Sequence, residues 1–318
     1  MSSRLLLTAL ICVSLLRAGE VDLLEGVVWS DGLNRGGTDT AIGSVVVIYF
    51  CGHCPRAGAY MNGTAKAIDA EIEKQQKSIR LYCITPDLSG DVLVEWAKTH
   101  GYVGAAVGYD PRNRMKVSLN NIFQGRMRLP DGRTDYLKMS NEDVALVSRL
   151  AANPQVGVFR YPVDDLTMPA SKELWWACER DRPQAIRSLV AAEVQVAKKK
   201  DEILKAEVAK VAASVRGVFE PERDRLISAP SDMAVYESLE SLVVRYDGFD
   251  LKSVIARLKD MNKDKAMKKE LTARDVWRKC VKLKASSKPS DQLSAEQGLA
   301  LLAKQYADTV YGKRAGGG

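Results

Sequence analysis

The residues from Val45 to Phe50 form a continuous apolar run, set off from a polar, Gly-rich lead-in between Glu20 and Gly43. The run is β-branched and aromatic and has no polar position on either face, which a strand buried on both sides of a sheet requires. Pro55 follows closely and suits the first turn of a helix, where its missing N–H costs nothing. Ala65, Ile68, Ala70 and Ile72 carry that helix to about Gln76. The stretch "IRLYCIT", Ile79 to Thr85, predicts the next strand. Ser89-Gly90-Asp91 offers a cap for a helix over Val92–His100, and Val103–Tyr109 predicts a third strand. A short strand over Gly26–Ser30 precedes all of these. Asp110-Pro111-Arg112-Asn113 is turn chemistry. Met127–Leu129 followed by Pro130-Asp131-Gly132 predicts a strand ending in a tight turn. Ser140–Leu150 predicts a capped helix. Strands alternating with helices argue for an α/β layer with parallel pairs.

Three prolines and little periodicity between positions 153 and 170 predict a domain junction. Beyond it the pattern is helical throughout. Ala170–Arg180 is one helix, carrying Trp175 and Trp176. From Pro183 a long helix is predicted, because Ile186, Val190, Val194, Leu204, Val208, Val211, Val215 and Val218 recur at helical spacing. Pro221 is expected to end it. Further helices are expected over Asp232–Tyr246, Leu251–Met261, Asp264–Leu283 and Ser294–Tyr311. The last opens on the capping-box pattern Ser294-Ala295-Glu296-Gln297. The tail "GKRAGGG" is expected to fray. The expected division is an α/β domain over 20–165 and an all-helical domain over 166–318. Ahead of both, residues 1–19 read as an export signal: Arg4, an apolar run from Leu5 to Leu16, then Ala18-Gly19. That run is too short to span a bilayer. It implies a soluble mature protein in the periplasm or outside the cell.

Composition adds little to this picture, since 46% hydrophobic and 27% charged residues over 318 positions describe an ordinary globular chain. The net charge of +7 changes it more. Between Lys252 and Lys288 about thirteen Lys/Arg stand against about four Asp/Glu. The plain account is the solvated outer face of packed helices, and the sharper one is contact with an anionic envelope surface. Export would exclude nucleic acid as a partner. Two histidines limit acid–base chemistry, and no phosphate loop, metalloprotease motif or G-x-S-x-G occurs. Removal of residues 1–19 leaves Cys51, Cys54, Cys83, Cys178 and Cys280, an odd number that cannot all pair internally. Cys83, Cys178 and Cys280 are isolated in apolar surroundings and read as small buried hydrophobes.

The remaining pair, Cys51-Gly52-His53-Cys54, closes the predicted strand and opens the predicted helix. A helix N-terminus there would stabilise a thiolate through its unpaired N–H groups and its dipole. Protonated His53 would add positive charge. Cys51 is then expected to have an exposed sulfur and act as nucleophile, with Cys54 as the resolving thiol. Zinc needs a second close pair of ligands, which the sequence lacks. A purely structural cystine closing so small a loop would constrain the unfolded chain little. No cofactor is implied.

The strand "VVVIYF", the pair "CGHC" and the helix after it resemble the thioredoxin superfamily over roughly Leu24 to Leu150. Gly52-His53 is the dipeptide found in protein disulfide isomerases. "RMRLPDGR" is similar to the closing hairpin of secreted bacterial thioredoxin-like proteins, and "KAMKKELTARDVW" to helical tails on some of them. The resemblance implies a central mixed sheet flanked by helices, followed here by an all-α domain. It also implies a thiol–disulfide oxidoreductase acting on protein thiols or disulfides with a separate redox partner, on the oxidant or isomerase side. The chain departs from the family in three places. Phe50 stands where Trp is usual, Val45 where a buried carboxylate is common, and Ile122 or Phe123 where a cis-proline is expected. These departures keep a second reading open: a redox-degenerate binding or scaffold protein on the same frame, using its basic helical part.

Overall fold

The computed structural model describes residues 24, 26–33, 35, 44–113, 115–118, 121–129, 133–153, 159–284, 286 and 288–316. Its sheet contains β1 (Val28–Trp29), β2 (Ser44–Phe50), β3 (Ile79–Thr85), β4 (Ala106–Tyr109), β5 (Phe123–Arg128) and β6 (Thr134–Tyr136) in the order β1-β4-β3-β2-β5-β6. The inner strands β2, β3 and β4 are parallel, while β1, β5 and β6 add antiparallel edges. Every residue of β2 and β3 is buried, the polar Ser44, Arg80 and Thr85 included. The predicted export signal, residues 1–19, lies outside the described residues, as does the Pro130-Asp131-Gly132 turn. Flanking that turn, the Leu129 N–H donates to the Arg133 carbonyl at 2.8 Å.

Two predicted strand limits shift for local reasons. The third strand starts at Ala106, not Val103, because the N–H groups of Val103 and Gly104 are spent on the Asp69 carboxylate at 2.6 and 3.2 Å. β5 begins at Phe123, four residues before the expected start, because pairing with β2 recruits its polar positions; Phe50 faces Phe123. The helix after the Cys pair is interrupted. It runs as α1 (Pro55–Tyr60), a π-helical stretch over Met61–Ala65 and α2 (Lys66–Gln75). Where the ladder widens, the Tyr102 hydroxyl donates to the Met61 carbonyl at 2.8 Å. α3 (Gly90–His100) and α4 (Glu142–Ala151) complete this part.

The helical region follows as α5 (Pro169–Glu179), α6 (Ala185–Val196), α7 (Glu202–Ser228), α8 (Met233–Arg245), α9 (Lys252–Met261), α10 (Lys265–Lys284), α11 (Pro289–Gln305) and α12 (Val310–Gly316). The long helix predicted from Pro183 is two helices. Lys198-Lys199-Lys200 has no apolar position to bury, and α7 restarts on an Asp201 cap that accepts from the Leu204 N–H at 3.0 Å. Pro221 does not end α7. Pro221 and Gly217, whose carbonyl loses its partner, both lie on the exposed face, so that carbonyl is not sealed away from solvent. Val215, Phe219 and Leu226 on the opposite face keep the helix packed. Ser294 is not a cap either, since Pro289 starts α11 and the Ser294 hydroxyl turns back to the Ser290 carbonyl at 2.8 Å. The last predicted helix breaks between Tyr306 and Thr309. The tail then re-forms a turn through Gly316, with the Thr309 hydroxyl accepting from the Gly312 N–H at 2.9 Å.

One apolar cluster runs from the sheet face (Val46, Ile48, Leu81) through Trp175 and Trp176 into α7, α8 and α10 at Val211, Leu239 and Trp277. A buried polar hub crosses the same boundary. Glu73 on α2 accepts from Trp176 Nε1 at 2.5 Å, Arg180 Nε at 3.0 Å and Arg182 Nη2 at 2.6 Å. Arg180 also donates to the Ile79 carbonyl at 2.8 Å, and Arg80 pairs with Glu179 at 2.8 Å. Nearby, burial pushes the Asp181 carboxyl up, but Arg160 at 2.7 Å and Arg245 at 3.2 Å outweigh it and hold it well below the usual carboxylate range. Removing one partner of a buried pair strands the other charge. Glu73→Ala is therefore expected to cost about 3–5 kcal/mol, read as a lower urea midpoint. Lys263→Ala, at an exposed pair on the α9–α10 turn, should leave that midpoint unchanged.

Candidate active site

β2 delivers Cys51 to the carboxyl-end edge of the sheet, where the Cys51 N–H donates to the Ile122 carbonyl at 2.7 Å. The chain then turns sharply. The Cys54 N–H reaches back to the Cys51 carbonyl at 3.2 Å, Pro55 takes the first helical position and the Gly58 N–H bonds to the Cys54 carbonyl at 2.9 Å. Cys54 is thus the N-cap residue of α1, in an extended conformation. All three sequence candidates, Cys51, His53 and Cys54, come together in this turn, with His53 exposed to solvent.

Their exposure differs from the expectation. Cys51 is only 4% exposed and packs with Tyr49, Met115 and Val117, whereas Cys54 is half-buried. The loop that leaves β3, Pro86-Asp87-Leu88, lies against the same turn. Leu88 lies so close to Gly52 that any Cβ there would collide with it and meet the Asp87 carboxylate at 3.1 Å. A side chain at position 52 would force Leu88 to move.

Asp87 is the group the sequence reading missed. Its carboxylate accepts from the Gly52 N–H at 2.8 Å, the His53 N–H at 3.3 Å and the Cys51 thiol at 3.3 Å. The Thr85 hydroxyl donates to it as well. The Gly52 and His53 N–H groups belong to the turn before α1, whose N-cap is Cys54, and they are directed at a carboxylate. Burial, then the charge of Asp87, then its hydrogen bond push the Cys51 thiol up to about 11. At neutral pH Cys51 is a thiol with a proton acceptor in contact. A signal for Asp87 was available: it follows a parallel strand adjacent to the strand bearing the cysteines, and ligand sites gather at such strand ends.

The position where a cis-proline was expected is opposite the dithiol. Ile122 offers its carbonyl to Cys51, Phe123 packs on Tyr60 at 5.2 Å, and no cis peptide occurs among the described residues. Cys83, Cys178 and Cys280 are buried, and burial first, then nearby carboxylates, pushes the Cys178 thiol up to about 12. Among the described residues no group of three or more His, Cys, Asp or Glu side chains is placed to hold a metal ion. No protein-family model matches the chain, and no curated protein is found to be similar to it.

The raised Cys51 thiol means that the folded chain holds its proton more tightly than the unfolded one. This contribution to stability is complete below pH 9.0 and is lost as pH rises through about 11. Asp87→Asn removes the like charge and keeps an acceptor for the Gly52 N–H. The Cys51 titration midpoint is expected to fall by about one unit, followed as the pH dependence of its alkylation by mass spectrometry.

Proposed function

We propose that this chain is a thioredoxin-like thiol–disulfide oxidoreductase that acts as a reductant of protein disulfides in the cell envelope. The carrying observation is the contact of the Asp87 carboxylate with a Cys51 thiol at a strand-to-helix junction. Support for the frame comes from the strand order: the Cys-bearing strand β2 has a parallel neighbour on one side and the antiparallel β5–β6 hairpin on the other. Support for the compartment comes only from the Arg4 to Gly19 pattern.

In the proposed cycle Asp87 takes the Cys51 proton as Sγ attacks one sulfur of the substrate disulfide. The substrate S–S bond breaks, and its leaving sulfur takes up a proton. Cys54, the more exposed thiol, then attacks Sγ of Cys51 in the mixed disulfide and releases the second substrate sulfur as a thiol. Two electrons pass to the substrate, and the Cys51–Cys54 pair is left oxidised until another dithiol reduces it. Direction follows from ionisation. Pairs that oxidise strongly do so because their reduced form is stabilised as a thiolate, and Cys51 has no such stabilisation at neutral pH. This differs from the direction that Gly52-His53 alone suggests. Equilibrated against a thiol buffer, the pair should show a potential of about −270 mV or lower; about −180 mV or above overturns the assignment. Cys51→Ser should abolish turnover of a model disulfide.

The burial of Cys51 favours a second reading, a binding protein that keeps the frame without the redox cycle. On that reading Cys51→Ser preserves function in cells.

A further inference from the structure

The end of α10 touches the start of α3, a few residues beyond the loop that contacts Cys51. Lys282 Nζ pairs with Asp91 Oδ2 at 3.0 Å, and its side-chain carbons lie 3.7 Å from a Cβ position at Gly90. Gly90 follows closely on Leu88, which covers Gly52, and Asp87, which contacts Cys51. From that end a stripe runs back along one side of α10: Lys282, Lys279, Asp275, Thr272, Lys268 and Lys265, all exposed. The spacing alternates between three and four residues, so these side chains share a face over about 25 Å. Four lysines stand on it against a single carboxylate. Among the described residues Lys265, Lys268 and Lys279 make no ion pair, whereas Lys269, off the stripe, pairs with Asp308. The apolar positions of α10, Met267, Ala273, Trp277 and Val281, are buried on its other side. The stripe is therefore charged without an exposed apolar anchor, which favours a polyanionic chain over insertion into a lipid surface.

We propose that the lysine stripe of α10 is a docking track for an acidic segment of the disulfide-bearing polypeptide substrate. It would lead the substrate's disulfide toward Cys51 and account for the attachment of the helical region. The proposal rests on the redox reading above and deepens it by naming the substrate class. At the near end Lys282 is paired with Asp91, which leaves Lys265, Lys268 and Lys279 as the charges that carry the track.

The test uses the full chain with three substrates: a disulfide peptide carrying a run of Asp and Glu, the same peptide with Asn and Gln, and neutral hydroxyethyl disulfide. Turnover and fluorescence anisotropy of the labelled peptides are both read. The acidic peptide is expected to bind and react about tenfold better than its neutral twin at low salt, with the advantage lost at high salt. Lys265→Gln, Lys268→Gln and Lys279→Gln together should remove that advantage and leave hydroxyethyl disulfide turnover unchanged. Equal handling of the two peptides, or an advantage that survives the triple substitution, overturns the proposal. So does a triple variant that loses only its binding to anionic phospholipid vesicles, which would assign the stripe to a membrane surface. No turnover of hydroxyethyl disulfide overturns the redox reading itself, and the delivery role with it.

Discussion

The guanidinium of Arg180 has a side chain only 1% exposed, and the fold depends on how it is paired. A buried charge is tolerated only where its attraction and hydrogen bonds repay its desolvation. Glu73 and the Ile79 carbonyl provide these, one from the helix after the dithiol and one from the strand beside it. Arg180 itself comes from the end of α5, in the helical region. The register of α5 against the sheet is thereby set by charge pairing, while the apolar cluster around Trp175 and Trp176 supplies non-directional burial. Arg80–Glu179 and the Asp181 pairs repeat the device nearby. Such pairs are weak arguments for stability but strong constraints on geometry, since any shift strands a charge.

The same logic of a carboxylate meeting N–H groups governs the dithiol. The N–H groups of Gly52 and His53, in the turn before α1, meet Asp87, carried in by the loop after β3, and not the Cys51 sulfur. The proton stays on sulfur, with the carboxylate as its hydrogen-bond acceptor. A Cys-x-x-Cys at a helix start thus does not by itself specify a low thiol pKa. The outcome depends on what else reaches the N–H groups, and here Gly52 leaves room for Leu88 and Asp87 to reach them.

Much was legible along the chain. The buried strand at Val45–Phe50 followed from an unbroken apolar run, and the helix start at Pro55 from proline chemistry. The meeting of Cys51, His53 and Cys54 needed only local spacing. Errors fell where a distant group intervened: Asp69 took the N–H groups of Val103 and Gly104, and β2 drew Phe123 into pairing. Pro221 misled because its penalty depends on which face of α7 meets water.

The sequence by itself determined the α/β layer, the helical region after it and the position of the cysteine pair, because each rests on periodicity or contacts within a few residues. Only the tertiary structure decided the burial of Cys51, the placing of Asp87 upon it and the approach of Lys282 to the start of α3. Those depend on contacts 36 and 191 residues apart in the chain, which no local pattern encodes. The physical reason is that a thiol's ionisation answers to every charge and every missing water around it. Both are set only when the whole chain has folded.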